Sequence, residues 1–410
     1  MNRRAVVLAI LALCQTEGMA TPKFVYLTWQ EDPATAVTVS YHTFPFSASL
    51  ETGPRNPASR VTFDRRSRAK TGEPHRFSAA GTAHQMTQLA DRRWVHRVVL
   101  RNLLPDTVYF FVAGDQVCDQ SEEYSFRTAP DDGRALTFVS GGDMGVGSKA
   151  KALLDQAAAQ SPLFCLVGGD LAYAEAVPEN YELWDRWLEN WQEAMVTPDN
   201  RLVPMVLAVG NHDVDRTTEP SAPFFHRYFP QGGASYFSRR VGTNLALFVL
   251  DSGHLVPRGG AQASWLADQL EASQKVPFRF AIYHVPLYPG YRPYNESKSQ
   301  LGRDHWGPLF DRFGLTAAFE NHDHMLKRSK ILRGGEVVAD GTLYLGDGCF
   351  GRTSRITKGP RQVDRSRRWY LEKAVTGAHF WRVDIAAGHV HYRAIGVTGE
   401  VLDATTTRSR

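Results

Sequence analysis

The chain has 410 residues, of which 43% are hydrophobic and 22% are charged, an ordinary composition for a globular protein. Its length exceeds that of a usual single core and predicts two domains. The formal net charge of +4 is too small to indicate a nucleic-acid partner, and we expect none; an anionic small molecule is equally compatible with it.

The N-terminus has the pattern of a secretory signal. Arg3 and Arg4 precede an apolar run over 5–14, and a small-x-small site follows at 18–20. We therefore predict a signal peptide over 1–20 and a secreted or periplasmic protein. The apolar run is too short to cross a bilayer, and no other long uncharged run follows, so no membrane association is expected after cleavage. The alternative is an ordinary buried first element.

The cysteines do not predict a disulfide framework. Removal of the signal peptide leaves Cys118, Cys165 and Cys349, and an odd number cannot form a complete internal set. Cys165 lies inside an apolar run and is expected to be a buried small hydrophobic residue. A bond between Cys118 and Cys349 stays open. The absence of a CxxC spacing argues against a cysteine-based zinc site.

Residues 21–130 have the alternating apolar and polar pattern of β-strands, interrupted by turn-rich segments. The segment 103–110 resembles the turn and tyrosine-corner strand of a fibronectin type III domain. Trp29 stands where such sandwiches usually carry a core tryptophan. An all-β sandwich domain is therefore predicted over 21–130.

Residues 131–396 alternate strand-like apolar runs with helix-like segments. This alternation predicts an α/β domain, with layered β-sheets flanked by helices. Trp184, Trp187 and Trp191 recur at helical spacing and are expected to be core residues rather than part of a cofactor site. Residues 397–410 are predicted to form a C-terminal tail.

Potential metal ligands stand at the ends of apolar runs in the second domain. A run that stops at glycine and an acid is typical of a buried strand that leads into a loop. In α/β sheets the carboxyl ends of the strands meet at one crevice, so ligands that are distant in sequence can meet there. The candidates are Asp143, Asp170, Tyr173, Asn211, His284, His322 and His324.

This set offers two carboxylates, an amide oxygen, a phenol and three imidazoles. Such a number of ligands is enough for two metal ions rather than one. Two neighbouring metal ions can attack phosphorus esters with a metal-bound hydroxide, so a small anionic phosphoester is the expected substrate. Taken singly, each residue has a plainer interpretation, because a strand-end aspartate is often only a turn or capping residue.

Together, the blocks GGDMG, GGDLAYA, GNHD, YHVPLY and ENHDH resemble the signature of calcineurin-like metallophosphoesterases, and more narrowly that of purple acid phosphatases. Tyr173 distinguishes the purple acid phosphatase pattern from that of the Ser/Thr protein phosphatases of this fold, which have no tyrosine ligand. The resemblance implies two metal sites bridged by Asp170: a first site of Asp143, Tyr173 and His324, and a second of Asn211, His284 and His322.

The chemistry of the two ligand sets predicts two different ions. A phenolate and carboxylates are hard anionic ligands that suit Fe³⁺, whereas imidazoles and an amide oxygen suit a divalent ion such as Zn, Mn or Fe. The resemblance further implies that His212 contacts the phosphate and assists proton transfer. The alternative role for His212 is purely structural. We expect Asp213 to orient its imidazole.

Two departures from the family pattern concern loops near this site. The last block usually begins with glycine, and Asn321 in its place predicts an altered turn. The family also carries a further histidine shortly after the one at 284, where this chain has Arg292 and Tyr294. Arg292, Tyr294 and His254 are therefore candidate substrate contacts. Tyr294, His305 and His254 are candidates for the leaving-group acid.

Arginines are concentrated after Gly351, at Arg352, Arg355, Arg361, Arg365, Arg367 and Arg368. Such a run is usually a solvated face. The functional alternative is an insertion beside the active site that recognises an anionic substrate.

The sequence thus predicts an exported dinuclear-metal phosphatase that hydrolyses phosphomonoesters by attack of a metal-bound hydroxide, without a phosphoenzyme. Two alternatives stay open. One is a phosphodiesterase on the same scaffold, because a good leaving group needs less protonation. The other is a non-catalytic binding protein that uses the β-sandwich.

Overall fold

The computed structural model describes residues 21–44, 58–114, 120–216, 220–346, 348–355 and 368–409. The predicted signal peptide and Cys118 lie outside them. The N-terminal part contains the strands β1 Lys23–Thr28, β2 Val37–Thr43, β3 Arg60–Asp64, β4 Phe77–Ala80, β5 Thr82–Gln85, β6 Trp94–Leu100, β7 Val108–Ala113 and β8 Tyr124–Arg127, and the short helix α1 Arg68–Thr71.

The strands of the second part are β9 Leu136–Gly141, β10 Cys165–Gly168, β11 Met205–Ala208, β12 Phe237–Val241, β13 Leu245–Val249, β14 Phe278–Ile282, β15 Ala317–Phe319, β16 Leu326–Arg333, β17 Glu336–Val337, β18 Thr342–Gly346, β19 Leu371–Val375, β20 His379–Ala386, β21 His389–Gly396 and β22 Val401–Arg408. Its helices are α2 Ser148–Ala158, α3 Tyr181–Ala194, α4 Pro223–Tyr228, α5 Ala261–Ala272, α6 Ser297–His305 and α7 Gly307–Phe313, with 3₁₀ turns at Pro178–Asn180 and Asn211–Asp213.

The N-terminal strands form two layers. The strands β1, β2, β6 and β5 follow one another in one sheet, and β4, β3, β7 and β8 form a second. Buried residues of both layers, such as Val39, Val98 and Phe111, belong to one hydrophobic core. The tyrosine corner is present, because the Tyr109 hydroxyl accepts a hydrogen bond from the Leu104 N–H at 2.9 Å.

The first sheet continues into the second part of the chain. β1 lies parallel to β11 with Thr28 opposite Met205, which extends the order to β22-β21-β20-β9-β10-β11-β1-β2-β6-β5. Trp29 packs at this junction, with 5.0 Å between its ring centroid and that of Phe164. The predicted boundary near 130 therefore falls between β8 and β9 in the chain, but the sheet does not end there.

The second part stacks two sheets between helices, as an α/β fold requires. The second sheet has the order β12-β13-β14-β15-β18-β16-β17, with β19 also paired to β16. Phe138 of β9 contacts Phe280 of β14 and Phe319 of β15 across the space between the sheets. The helices α2 to α4 pack on the outer face of the first sheet and α5 to α7 on that of the second.

Helix α3 confirms the prediction for the tryptophan stripe. Trp184, Trp187 and Trp191 recur at a spacing of three to four residues, which places them on one helix face, and all three are buried. Trp187 contacts the other two rings, and Trp184 and Trp187 also contact Phe229 beyond α4. Cys165 is likewise buried, in β10. None of the helices among the described residues is both long and apolar enough to cross a bilayer.

The predicted C-terminal tail over 397–410 was wrong. Residues 401–408 form β22, which pairs antiparallel with β21 at the edge of the first sheet. The run is rich in threonine, whose β-branched side chain favours strands although it is polar. Its one buried acid, Asp403, is paired with Arg328 at 2.7 Å. The strand therefore lacks the apolar alternation by which the sequence would have revealed it.

A buried ion pair joins strand β16 to the loop after β15, and its carboxylate also binds the segment after β14. The Lys327 ammonium and the Glu320 carboxylate are in direct contact, and both side chains are inaccessible to solvent. Glu320 also accepts hydrogen bonds from the Tyr283 hydroxyl at 2.7 Å and the Leu287 N–H at 2.6 Å. Removal of the lysine would leave this carboxylate buried without its counter-charge.

Lys327→Met is therefore expected to lower the free energy of unfolding by about 3 to 5 kcal/mol. Lys330→Met, on the same strand but only half-buried, is the control and is expected to change it by no more than about 0.5 kcal/mol. Chemical denaturation of both variants measures the difference. Similar stabilities for the two variants would show that the pair does not hold these loops.

Candidate metal centre

The seven predicted ligands follow the carboxyl ends of strands in both sheets. Strands β9, β10 and β11 run parallel to one another, as do β13, β14, β15 and β18. Asp143 follows β9, Asp170 and Tyr173 follow β10, and Asn211 lies in the turn after β11. His284 follows β14, and His322 with His324 follows β15. The parallel strands of the two sheets therefore present all seven residues at the same end of the fold.

Asp143, Tyr173 and His324 form one group of donors. The Asp143 Oδ1 atom lies 3.1 Å from the Tyr173 hydroxyl and 2.9 Å from His324 Nε2, and the hydroxyl lies 3.2 Å from the same nitrogen. The other carboxylate oxygen of Asp143 accepts the His322 N–H at 2.8 Å. Asp143 Oδ1, the Tyr173 hydroxyl oxygen and His324 Nε2 thus lie around one common point.

The second group centres on His284. Its Nε2 atom lies 3.2 Å from Asn211 Oδ1, 3.0 Å from His322 Nδ1 and 3.2 Å from Asp170 Oδ2. One donor atom from each of Asp170, His284 and His322 lies within 4.8 Å of the others. The contacts place Asp170 in this group. That Asp170 also binds the first metal, and so bridges the two, stays a prediction.

The donor chemistry of this pocket fits metal ions. The Nδ1–H of His284 lies 2.9 Å from the Gly168 carbonyl and donates to it, which leaves a lone pair on Nε2. When His284 is neutral, that lone pair faces the oxygen lone pairs of Asn211 and Asp170, an arrangement that a cation between them would stabilise. Ligands held about 2.0 to 2.2 Å from one ion lie about 3 Å apart, which is the separation seen in both groups.

Electrostatics also favour a positive charge here. Burial alone would lower the pKa of His284, yet the Asp170 and Asp143 carboxylates raise it to about 9. Burial and the same two carboxylates raise the pKa of Tyr173 far above its usual value. A phenolate at Tyr173 therefore requires a cation beside it.

Most of the ligands have a backbone conformation that side chains disfavour. Asp143, Asp170, Tyr173, His322 and His324 have φ between 53° and 78°, in the left-handed region. Each such residue costs about 1 to 2 kcal/mol relative to a right-handed conformation. Strain of this kind is concentrated at functional sites, where the surrounding structure enforces it.

Asp213 holds these loops in place, and the prediction that it orients His212 was wrong. Its carboxylate accepts hydrogen bonds from the backbone N–H groups of Asp170 at 2.8 Å, Leu171 at 3.0 Å and Gly210 at 2.9 Å. Burial and the neighbouring Asp170 raise the pKa of Asp213, whereas these N–H donors oppose that shift. Asp213 therefore fixes the loops after β10 and β11 relative to each other.

Glu175 is the carboxylate that orients His212. Its Oε1 is in hydrogen-bond contact with His212 Nδ1. The imidazole lies against Tyr173, with 4.5 Å between ring centroids and a tilt of 34° between the rings, and its Nε2 lies 3.9 Å from Asp170 Oδ2. Glu175 is not among the site residues predicted from the sequence. The signal was an acid two residues after the tyrosine ligand, in LAYAE.

Two of the three predicted substrate contacts are engaged by the protein itself. The Arg292 guanidinium contacts Asp323 Oδ1 at 2.5 Å and the His322 carbonyl at 3.0 Å. Tyr294 packs between Tyr370 and Arg303, whose guanidinium lies 3.8 Å from the centre of its ring. Arg292 thus supports the loop of His322, and Tyr294 belongs to an aromatic cluster.

His254 and His305 differ in their relation to the site. The His254 ring lies 5.5 Å from that of His284, centroid to centroid, so it borders the second group of donors. His305 instead lines a cavity formed by 256–262 and its neighbours, which includes none of the seven predicted ligands, and there it lies against Gly259. That position gives no support to His305 as the leaving-group acid.

Asn321 explains the absence of the family's glycine. The asparagine is not in the left-handed region, so its position does not need glycine. Its side-chain amide donates to the Tyr283 carbonyl at 2.9 Å. A Cβ atom at Gly168 would lie 1.7 Å from this amide, and one at Gly142 would lie 2.3 Å from its oxygen. Because Gly142 and Gly168 have no side chain, the Asn321 side chain can occupy the space beside them.

The arginine-rich segment begins beside the metal ligands. The Arg352 guanidinium lies 4.0 Å from the centre of the Tyr173 ring, and the Arg355 N–H donates to the His324 carbonyl at 2.9 Å. At its other end, Arg368 donates to the Tyr291 carbonyl at 2.5 Å. Arg361, Arg365 and Arg367 lie outside the described residues.

Comparisons with known proteins cover both parts of the chain. Residues 22–128 match the purple acid phosphatase N-terminal domain, and residues 143–326 match the calcineurin-like phosphoesterase domain. Purple acid phosphatase 18 of Arabidopsis thaliana is 24% identical over 296 residues, which are 70% of this chain and 64% of that protein. Purple acid phosphatase 23 of the same plant is 25% identical over 301 residues, 64% of this chain and 63% of that protein. The chain thus spans less than two thirds of these relatives.

Solved structures share the fold at lower identity. Purple acid phosphatase PPD1 from yellow lupin (Lupinus luteus) seeds has a TM-score of 0.76 at 16% identity, over 95% of this chain and 74% of that one. The structure of PhoD has a TM-score of 0.67 at 13% identity, over 95% and 89%. The chain therefore carries the N-terminal domain of the purple acid phosphatases, followed by a calcineurin-like phosphoesterase domain.

Proposed function

We propose that this protein is an exported, metal-dependent phosphatase that hydrolyses phosphomonoesters. The observation that carries the proposal is the convergence of two groups of lone-pair donors at the carboxyl ends of parallel strands. The export rests on the signal pattern over 1–20. A small phosphoester is the proposed substrate.

The proposed ligands divide as the two groups of contacts do. Asp143, Tyr173 and His324 would hold Fe³⁺, and Asn211, His284 and His322 a divalent Zn, Mn or Fe ion, with Asp170 between them. When bound, the two ions supply a hydroxide nucleophile and offset the negative charge of the phosphoryl oxygens.

His212 is the proposed catalytic residue of the chain itself. Because the Glu175 carboxylate accepts the proton of Nδ1, the Nε2 atom is left to face the site and to carry or release a proton. The side chain is about one-third exposed (34%), so a bound substrate can reach it. We propose that His212 binds a phosphoryl oxygen and assists proton transfer.

A phosphodiesterase stays the alternative because of the loop after His284. Arg292 is held by Asp323, and Tyr294 lies among aromatic rings, so neither is positioned as an obvious proton donor to a leaving group. Of the three candidate substrate contacts, only His254 borders the donor groups. A reaction whose leaving group needs little protonation suits such a site.

A panel of phosphomonoesters and phosphodiesters, assayed with metal-loaded protein, tests the proposal. We expect higher kcat/KM for the monoesters and about two metal ions per chain by elemental analysis. Asp170→Asn is the matched inactive control and is expected to lower kcat well beyond the roughly 10- to 100-fold change typical of residues behind the ligands. A preference for diesters would favour the alternative, and absence of turnover with both metals bound would refute both enzymatic readings.

Tyr173→Phe tests the nature of the first ion. A phenolate bound to Fe³⁺ absorbs visible light by charge transfer, so iron-loaded wild-type protein is expected to be coloured and the variant colourless. Circular dichroism of the variant checks that its fold is unchanged. Colourless iron-loaded wild-type protein would contradict either the ferric ion or the tyrosine ligand.

His212→Ala is expected to retain both metals and to lower kcat by roughly 10²- to 10⁴-fold. If His212 protonates the leaving group, the loss is greater for an alkyl phosphate than for a nitrophenyl phosphate, whose leaving group needs little protonation. An equal loss for both substrates would assign His212 to phosphoryl binding alone. A lower thermal stability with unchanged kcat would leave it a structural role only.

A further inference from the structure

His254 is a buried imidazole that the proposed reaction does not use. It follows β13, is 3% exposed, and its backbone N–H donates to Asp251 Oδ1 at 2.6 Å. Its ring borders His284 on the side of the second donor group. His212, by contrast, contacts the ring of Tyr173 in the first group. The two histidines therefore flank the centre from different sides.

The hydrogen bonds of His254 fix where its proton lies. Arg216 Nη2 is 2.6 Å from His254 Nδ1. Because a guanidinium only donates, Nδ1 must accept, and the ring proton is on Nε2. Within the described part of the chain, this Nε2 is buried and has no hydrogen-bond partner. A buried N–H without an acceptor is unfavourable, so the pocket is built for an acceptor from outside the protein.

Arg258 presents a second set of buried donors without acceptors. It is 6% exposed, and its Nε and Nη2 atoms have no partner among the residues that the structure describes. The guanidinium lies against Gly253, the residue before His254, where an added Cβ would be 2.9 Å from Nη1. The two unsatisfied side chains are thus neighbours.

The surroundings are cationic, and the nearby acids are already engaged. Burial lowers the pKa of Lys298, and the neighbouring charges of Arg216 and Arg258 lower it further, with Glu296 opposing them. Glu296 accepts the Ser299 N–H at the start of α6. Asp251 accepts the backbone N–H groups of His254, Leu255 and Val256. Positive charge is therefore in excess.

We propose that His254, Arg216 and Arg258, with Lys298 at the rim, form an anion pocket that binds a second negatively charged group of the substrate. The proposal rests on the function proposed above, in which the metals and His212 bind the phosphoryl group that is hydrolysed. Arg216 is exposed, so the pocket opens to solvent where the rest of a substrate would extend. A phosphate or carboxylate can accept hydrogen bonds from the His254 Nε2–H and from the Arg258 guanidinium.

Binding of phosphonates that are not hydrolysed tests the pocket separately from catalysis. Calorimetry on metal-loaded protein compares phenylphosphonate with 4-carboxyphenylphosphonate and 1,4-phenylenebisphosphonate. We expect the two compounds that carry a second anionic group to bind about tenfold tighter or more than phenylphosphonate, since that group gains charge-assisted hydrogen bonds. The compound with the larger gain tells whether carboxylate or phosphate is the preferred group.

Three variants and one control test whether the gain in affinity from the second anionic group arises from the pocket. His254→Phe and Arg216→Gln are expected to reduce the Kd ratio to near one, whereas His254→Gln, whose amide can replace the Nε2 donor, restores part of it. Arg240→Gln, an exposed arginine on β12, is the control and is expected to keep the wild-type ratio.

Two results would overturn the inference. Equal weakening of all three compounds would show that His254 binds the phosphoryl group itself, and an unchanged ratio in both variants would show that the donors serve only packing. The failure of the proposed function is distinct, because it appears as absent turnover and does not alter these Kd ratios.

Discussion

The fold brings electron-rich atoms together in a buried space at the carboxyl ends of its parallel strands. His284 donates its Nδ1–H to the Gly168 carbonyl and turns its Nε2 atom toward Asn211 and Asp170. Tyr173 is held against two carboxylates that oppose its ionisation. Such an arrangement is unfavourable unless cations occupy it. Five of the ligands also have a left-handed backbone, a strained conformation of the kind that is concentrated at functional sites.

The rest of the structure enforces this convergence. Asp213 joins the loops after β10 and β11 through three backbone N–H groups. Glu320, neutralised by Lys327, joins the loops after β14 and β15. Between the two sheets, Asn321 fills the space that glycines leave open. Rigid strands alone would not place seven side chains within bonding distance of common points. Buried polar groups whose hydrogen-bonding partners are present hold these side chains in position.

Local patterns in the sequence predicted much of this. The layered α/β fold, the buried tryptophan face of α3 and the strand-end position of the candidate ligands follow from periodicity and from glycine at strand ends. Partnerships across the chain could not be read in the same way. The pairing of His212 with Glu175 rather than Asp213, the parallel contact of β1 with β11 and the polar edge strand β22 depend on tertiary contacts that leave little local signature.

Anomalous X-ray diffraction from crystals of the metal-loaded protein tests the central claim most directly. Data collected at and below the iron and zinc absorption edges identify each ion by element and position. The account predicts two peaks, with iron beside Tyr173 and Asp143 and a divalent ion beside Asn211 and His284. A single peak, or two peaks outside these two groups of donors, would contradict it.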